Sequence, residues 1–176
     1  GGQTRDHYLD EVFVGPNWSR RFLDGALGLK VSLQYYFLGY PKRANAGYPL
    51  SHNLEVVPTL DYRLGAFNLS ASLDLAVTST DNLFAAPSGA PSDVDDMIYS
   101  VAPNVALSSD WSRHALALDA GAVFRSHEDF SSEDADDHYV RATGRFDIGQ
   151  DTAIRGSARA AHQVTPRTDP DSPFIG

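Results

Sequence analysis

The sequence predicts an all-β protein: an antiparallel transmembrane β-barrel meander of about eight strands. Three observations predict it. Apolar and polar residues alternate with period two through most of the chain, the alternating runs are mostly ~10–13 residues long, and the connections between them alternate short and long. A strand with this pattern has one apolar and one polar face, whereas a helix would scatter the same apolar residues around its circumference. Strands of soluble proteins usually run about 5–6 residues, and a tilted strand needs about 9–11 to cross a bilayer. Short turns at one end and long loops at the other are the asymmetry of an outer-membrane barrel.

Tyr8–Val14 opens the series as a short strand, followed by a short turn over 15–25. The next strand carries Leu27, Leu29, Val31, Leu33, Tyr35 and Phe37 on its apolar face and leads into a long loop over 39–53. Leu54, Val56, Pro58, Leu60, Tyr62 and Leu64 form the following apolar face. Gly65-Ala66 is then a tight turn into Phe67, Leu69, Ala71, Leu73, Leu75 and Val77. A long segment over 80–96 precedes Met97, Tyr99, Val101, Pro103, Val105 and Leu107. Ser109–Arg113 is the next short turn, and Leu116, Leu118, Ala120, Ala122 and Phe124 alternate after it. The loop over 127–137 leads to Val140, Ala142, Gly144, Phe146 and Ile148, and a turn over 149–151 leads to Ile154, Gly156, Ala158 and Ala160.

With the apolar faces against lipid, the opposite faces meet the lumen. The residues expected to line it are Lys30, Asp61, Arg63, Asp74, Asp119, Arg125, Arg141, Arg145, Asp147, Arg155 and Arg159. Opposed Arg and Asp on neighbouring strands are expected to pair and stiffen the wall, or to mark a charged path for anionic or hydroxyl-rich solutes.

A short repeat links two turns. Asn17-Trp18-Ser19-Arg20-Arg21 and Asp110-Trp111-Ser112-Arg113-His114 each precede a long strand, and both are expected on the short-turn side. Trp18 and Trp111 would there be interfacial girdle aromatics, with arginines reaching the headgroups.

Composition narrows the function. Lys and Arg total 14 against 23 Asp and Glu, a formal net charge of −9, which argues against a nucleic-acid partner because such affinity rests on basic groups neutralising phosphates. There is no cysteine, so a disulfide framework, a thiolate metal site and a Cys nucleophile are excluded. Mean hydropathy is −0.29, and no uncharged apolar run approaches the roughly 18 residues of a membrane-spanning helix. The segments 80–96 and 127–138 are acidic and hold no Lys or Arg, which reads as a solvated loop surface or as carboxylates bridged by divalent cations to an anionic lipid surface. No Gly-x-Ser-x-Gly elbow, His-Glu-x-x-His pair or phosphate-binding glycine loop occurs, so no catalytic residue, cofactor or metal site is expected. His127 and His138 flank one acidic loop and would be the nearest thing to a ligand pair if they met across it.

The direction of travel places both ends of the chain on the long-loop side, where a barrel inserted from the periplasm does not keep them. The opening Gly1-Gly2-Gln3-Thr4-Arg5-Asp6 carries no apolar targeting segment. The expectation is one barrel domain over 1–176 that is an interior portion of a larger barrel.

From about Leu60 onward the chain resembles the putative beta-barrel porin 2 family of Gram-negative outer-membrane proteins. The residues that carry the resemblance are Arg63-Leu64-Gly65-Ala66-Phe67, Thr80-Asp81-Asn82-Leu83-Phe84 with Pro87-Ser88-Gly89, Val101-Ala102-Pro103, Ser109-Asp110-Trp111-Ser112-Arg113-His114 and Gly144-Arg145-Phe146-Asp147-Ile148. The first ~55 residues match this family less well. The resemblance implies a porin-like barrel, often placed near surface-polysaccharide functions, with no established catalytic residues. The expected function is a passive outer-membrane channel or polysaccharide-associated pore without catalysis. Its partners would be outer-membrane lipid and lipopolysaccharide together with small solutes or polysaccharide, and there is room for an oligomer or larger complex. The alternatives are a soluble or periplasmic β-barrel that binds a small apolar ligand, and a structural outer-membrane barrel with a plugged lumen.

Overall fold

The structure, a computed structural model, describes residues 10–39, 50–84, 86, 89–149 and 151–164. Nine strand segments form one antiparallel meander: β1 (Asp10–Val14), β2 (Asn17–Phe22), β3 (Leu27–Gly39), β4 (Ser51–Leu64), β5 (Phe67–Thr80), β6 (Asp96–Ser109), β7 (Ala115–His127), β8 (Ala135–Asp147) and β9 (Ala153–His162). Among the described residues no helix is long and apolar enough to cross a membrane. β3 to β8 are 13 or 14 residues long, more than a tilted strand needs to span the hydrocarbon. From β2 onward each strand pairs with its sequence neighbour, β1 joins β3, and β1 and β9 are not paired to each other, so the sheet is open. It is a curved wall and not a closed cylinder, as expected for part of a barrel.

The opening segment differs from the sequence expectation. β1 and β2 both pair with β3, end to end and in one continuous register: Val14 stands opposite Tyr35 and Asn17 opposite Ser32. They are one strand interrupted at Gly15-Pro16, so the sheet is eight strands wide. Proline has no N–H to give to the ladder, and its carbonyl instead accepts from the Leu33 N–H at 3.0 Å. Gly15 keeps the break tight, because any side chain there would run into the Leu33 carbonyl oxygen. The turn expected over 15–25 shrinks to Leu23–Gly25 with Ala26. The charged pair Arg20-Arg21 hid the lower half of this strand, because Arg20 occupies an apolar-face position, with its guanidinium over the Phe22 ring at 5.1 Å.

The remaining connections keep the expected alternation, with strands running further than expected into the long loops. β5 reaches Thr80, β6 starts at Asp96, β7 reaches His127 and β8 starts at Ala135. The first two residues of the Tyr8–Val14 strand, residues 40–49 of the first long loop, and the tail from Thr165 lie outside the described residues.

Register carries the apolar face across the whole sheet. Trp18 faces Val31, Val31 faces Pro58, Leu60 faces Ala71, and Ala71 faces Val105. Val105 then faces Ala120, Ala120 faces Val140, and Val140 faces Ala160. Because side chains alternate with a period of two, a one-residue slip anywhere would exchange the faces.

Candidate functional site

The two faces differ in exposure, and in the opposite sense to a water-soluble fold. Along β3, Val31, Leu33 and Tyr35 are exposed, while Ser32 between them is buried and Gln34 and Tyr36 are half-buried. Along β8, Val140 is 53 % exposed and Phe146 58 %, while Asp137, Tyr139, Thr143, Arg145 and Asp147 on the other face are half-buried. The same inversion recurs in β5, β6 and β7. A flat sheet would expose both faces equally, so the wall curls towards its polar face and presents the apolar one outwards. Among the described residues only Ala86 and Ala135 are buried apolar residues, against four buried polar ones, Ser32, Thr80, Asn82 and Asp96. An apolar core of the usual kind is therefore absent from this region, and the sheltered polar face is the candidate site.

The expected lumenal residues stand on this face by register, but their partners are not those the sequence led one to expect. Arg125 pairs diagonally with Asp137 across β7 and β8. The sequence places Asp137 in the acidic loop over 127–137. The odd-numbered alternation Asp137, Tyr139, Arg141, Thr143, Arg145 was the signal that it belongs to the strand. Arg63 reaches Asp110 in the neighbouring turn, and Asp61 accepts from the Ser70 hydroxyl at 2.7 Å. Asp147 pairs within its own strand: Arg145 Nε lies 3.1 Å from its Oδ1. Its carboxylate also accepts from the His114 N–H at 2.9 Å, while its own N–H donates to His114 Nδ1 at 3.1 Å.

Asp119 stands opposite Arg141, yet its carboxylate is met by the Tyr139 hydroxyl and by Asn104 Nδ2 at 3.4 Å, and Asn104 also donates to the Tyr139 hydroxyl at 2.8 Å. Lys30 faces Thr59 and Asp74 faces Ala102. Arg155 faces Arg145, and Arg159 faces Arg141. The expectation of Arg–Asp pairing across neighbouring strands therefore holds for Arg125 and fails for the β8–β9 arginines, where the register opposes like charges.

The outer end of this face is covered. Thr80, Asp96, Ala135 and the His127 side chain are all polar-face positions at the long-loop end, and all are buried. Asn82, 2 % exposed, holds the β5–β6 loop by a reciprocal pair with Ala86: Nδ2 donates to its carbonyl at 2.7 Å and Oδ1 accepts its N–H at 2.8 Å. Phe84 meets Phe130 of the β7–β8 loop edge-to-face at 5.5 Å, and Asp96 Oδ1 accepts from the Asp129 N–H at 3.2 Å. The two loops thus lock together over the polar face. Several acidic residues expected as a free anionic surface are engaged with backbone amides: Asp81 with Leu50, Asp93 with Gly89 and Asp134 with His127. Among the described residues no group of three or more His, Asp or Glu is arranged to hold a metal ion.

Two further expectations change. His127 points to the polar face, 3.5 Å from Asp134, while His138 lies on the apolar face stacked on His162 at 5.2 Å. The two histidines flank one loop but cannot share a ligand. Trp111 does sit in a short turn, edge-on to Phe67 at 5.4 Å. Trp18 does not: it is a strand residue opposite Val31, four positions above the Phe22–Leu27 end of the hairpin. The two copies of the repeat therefore occupy different heights on the wall.

No curated protein and no solved structure gives a significant match. A family model, Putative beta-barrel porin 2, matches residues 59–175, about two thirds of the chain, from the middle of β4 through β9 and beyond. An open all-antiparallel meander of bilayer-length strands is consistent with part of a barrel, and the chain belongs to the putative beta-barrel porin 2 family.

Proposed function

We propose that the protein forms the wall of an outer-membrane pore in a Gram-negative bacterium. Small solutes or polysaccharide would cross its polar lumen passively, without catalysis. The observation that supports this reading is the inverted exposure of the sheet: along β3, β6, β7 and β8 the apolar face is the more exposed and the polar face the more sheltered. A soluble module that binds a small apolar ligand needs the reverse, with Leu33, Val101 and Val140 turned inward, and they are exposed. Family membership agrees with a porin and with the absence of a catalytic role.

In this reading the outward face meets lipid, and the acidic long loops meet lipopolysaccharide and its divalent counterions at the cell surface. The locked pair of loops over the outer end favours a second reading of the lumen, a pore narrowed or plugged at its outer mouth.

The test is migration on a denaturing gel before and after boiling of protein extracted from outer membranes, followed by conductance in a planar bilayer. A heat-dependent shift and discrete conductance steps are expected. A shift without conductance selects the plugged wall, and recovery in the soluble fraction with no shift overturns the membrane reading.

A further inference from the structure

We propose that the polar face of β8 and β9 is a binding site for polyvalent oxyanions, built on two arginine pairs that the strand register sets side by side. Arg141 faces Arg159 and Arg145 faces Arg155, with Thr143 facing Ser157 between them. Residues directly opposite in an antiparallel pair have Cβ atoms about 4.5–5.5 Å apart, and like charges in such positions repel. Elsewhere on this wall an arginine has a carboxylate partner, as Arg125 has Asp137 and Arg63 has Asp110. Arg145 has Asp147 beside it, but Arg141, Arg155 and Arg159 make no ion pair among the described residues.

The strip is therefore rich in donors: four guanidinium forks, which cannot accept a hydrogen bond, and two hydroxyls between them. A hollow of about 540 Å³ lies against Asp119, Tyr139, Arg141, Ser157 and Arg159. A second of about 490 Å³ lies against Thr143, Arg145, Arg155 and Ser157, and Ser157 borders both. Arg141 and Arg145 are four residues apart, roughly 13 Å along a strand. A single small anion relieves one pair and leaves the other. A solute with several carboxylate or phosphate groups relieves both, and planar guanidinium groups bind such oxyanions in bidentate fashion.

The inference rests on the pore reading in one respect only, that the polar face is open to water. The test uses the full chain folded in zwitterionic detergent, with thermal unfolding followed in citrate, in tripolyphosphate and in chloride of matched ionic strength. Either polyvalent anion is expected to raise the melting temperature in a dose-dependent way that chloride does not reproduce. A response to tripolyphosphate alone upholds the site and restricts it to phosphates. The response is expected to vanish in Arg141→Gln/Arg159→Gln and in Arg145→Gln/Arg155→Gln, so that a folding failure in one leaves the other to decide. Arg159→Asp, which sets a carboxylate opposite Arg141, is expected to melt higher than the parent without anion and to respond less to it. No rise beyond chloride, or an undiminished rise in both double variants, overturns the site. Conductance of the same preparation separates the two claims: a conducting pore blind to the anions removes the site and keeps the pore, and an anion response without conductance does the reverse.

Discussion

Tyr139 lies across Gly121, its register partner on the neighbouring strand, so closely that a methyl group on the glycine would stand 2.8 Å from the ring atom Cε1 and 3.1 Å from Asn104 Nδ2. Glycine weakens a strand, and an aromatic ring laid over it covers the bare backbone. Here the ring also carries its hydroxyl to Asn104, so Gly121 makes room for a polar bridge from β6 to β8 across the sheltered face. Gly121→Ala is expected to displace the ring, break that hydrogen bond and destabilise the folded wall by about 1–3 kcal/mol, the usual range for overpacking. Combining it with Tyr139→Ser is expected to cost less than the two single changes summed, as measured by urea titration in detergent or lipid.

Leu33 and Leu73 are the middle residues of β3 and β5 on the outward face. Leu33→Arg or Leu73→Arg is expected to cost about 2–4 kcal/mol at the bilayer midplane and to reduce the heat-modifiable, membrane-assembled fraction. Ser72→Asp, one residue away on the polar face, is expected to leave assembly unchanged. Equal effects of the two kinds of change would show that the faces do not differ in solvent.

Depth separates the two tryptophans. With brominated acyl chains as quenchers, Trp18 (read in Trp111→Phe) is expected to be quenched most by bromines well inside the bilayer. Trp111 (read in Trp18→Phe) is expected to be quenched most by bromines near the headgroups. Four strand residues separate Trp18 from the end of its hairpin, roughly 13 Å before tilt.

Asp137 is held from two sides, by the Arg125 guanidinium and by the Val164 N–H at 2.7 Å. Asp137→Ala leaves a half-buried arginine without its carboxylate. A loss of about 1–3 kcal/mol is expected, and Arg125→Gln in the same background is expected to recover part of it. The unfolding midpoint in urea is the measurement.

Phe84 and Phe130 hold the two outer loops together. If the pore is narrowed there, Phe84→Ala and Phe130→Ala are each expected to raise single-channel conductance, and the double variant to match the larger single effect. Unchanged conductance in all three would place the constriction elsewhere.

Which residues face outward, that successive strands pair, and which end carries the short turns are legible in the alternation of apolar and polar residues. The reason is that period-two alternation fixes which residues share a face, and a tight turn such as Gly65-Ala66 then sets the register, Leu60 opposite Ala71. Where the alternation is broken by charge, as at Arg20 and Arg21, the strand could not be read. Only pairing with β3 shows that Trp18 sits well above the turn. Which polar groups meet was also beyond the sequence. A shift of two residues between β8 and β9 would keep every apolar side chain outward and yet separate Arg141 from Arg159, so the hydrogen-bonded register alone sets like charges together there. The covering of the polar face at its long-loop end depends likewise on tertiary contacts, Phe84 on Phe130 and Asp96 on Asp129, in segments whose composition announced only a charged surface.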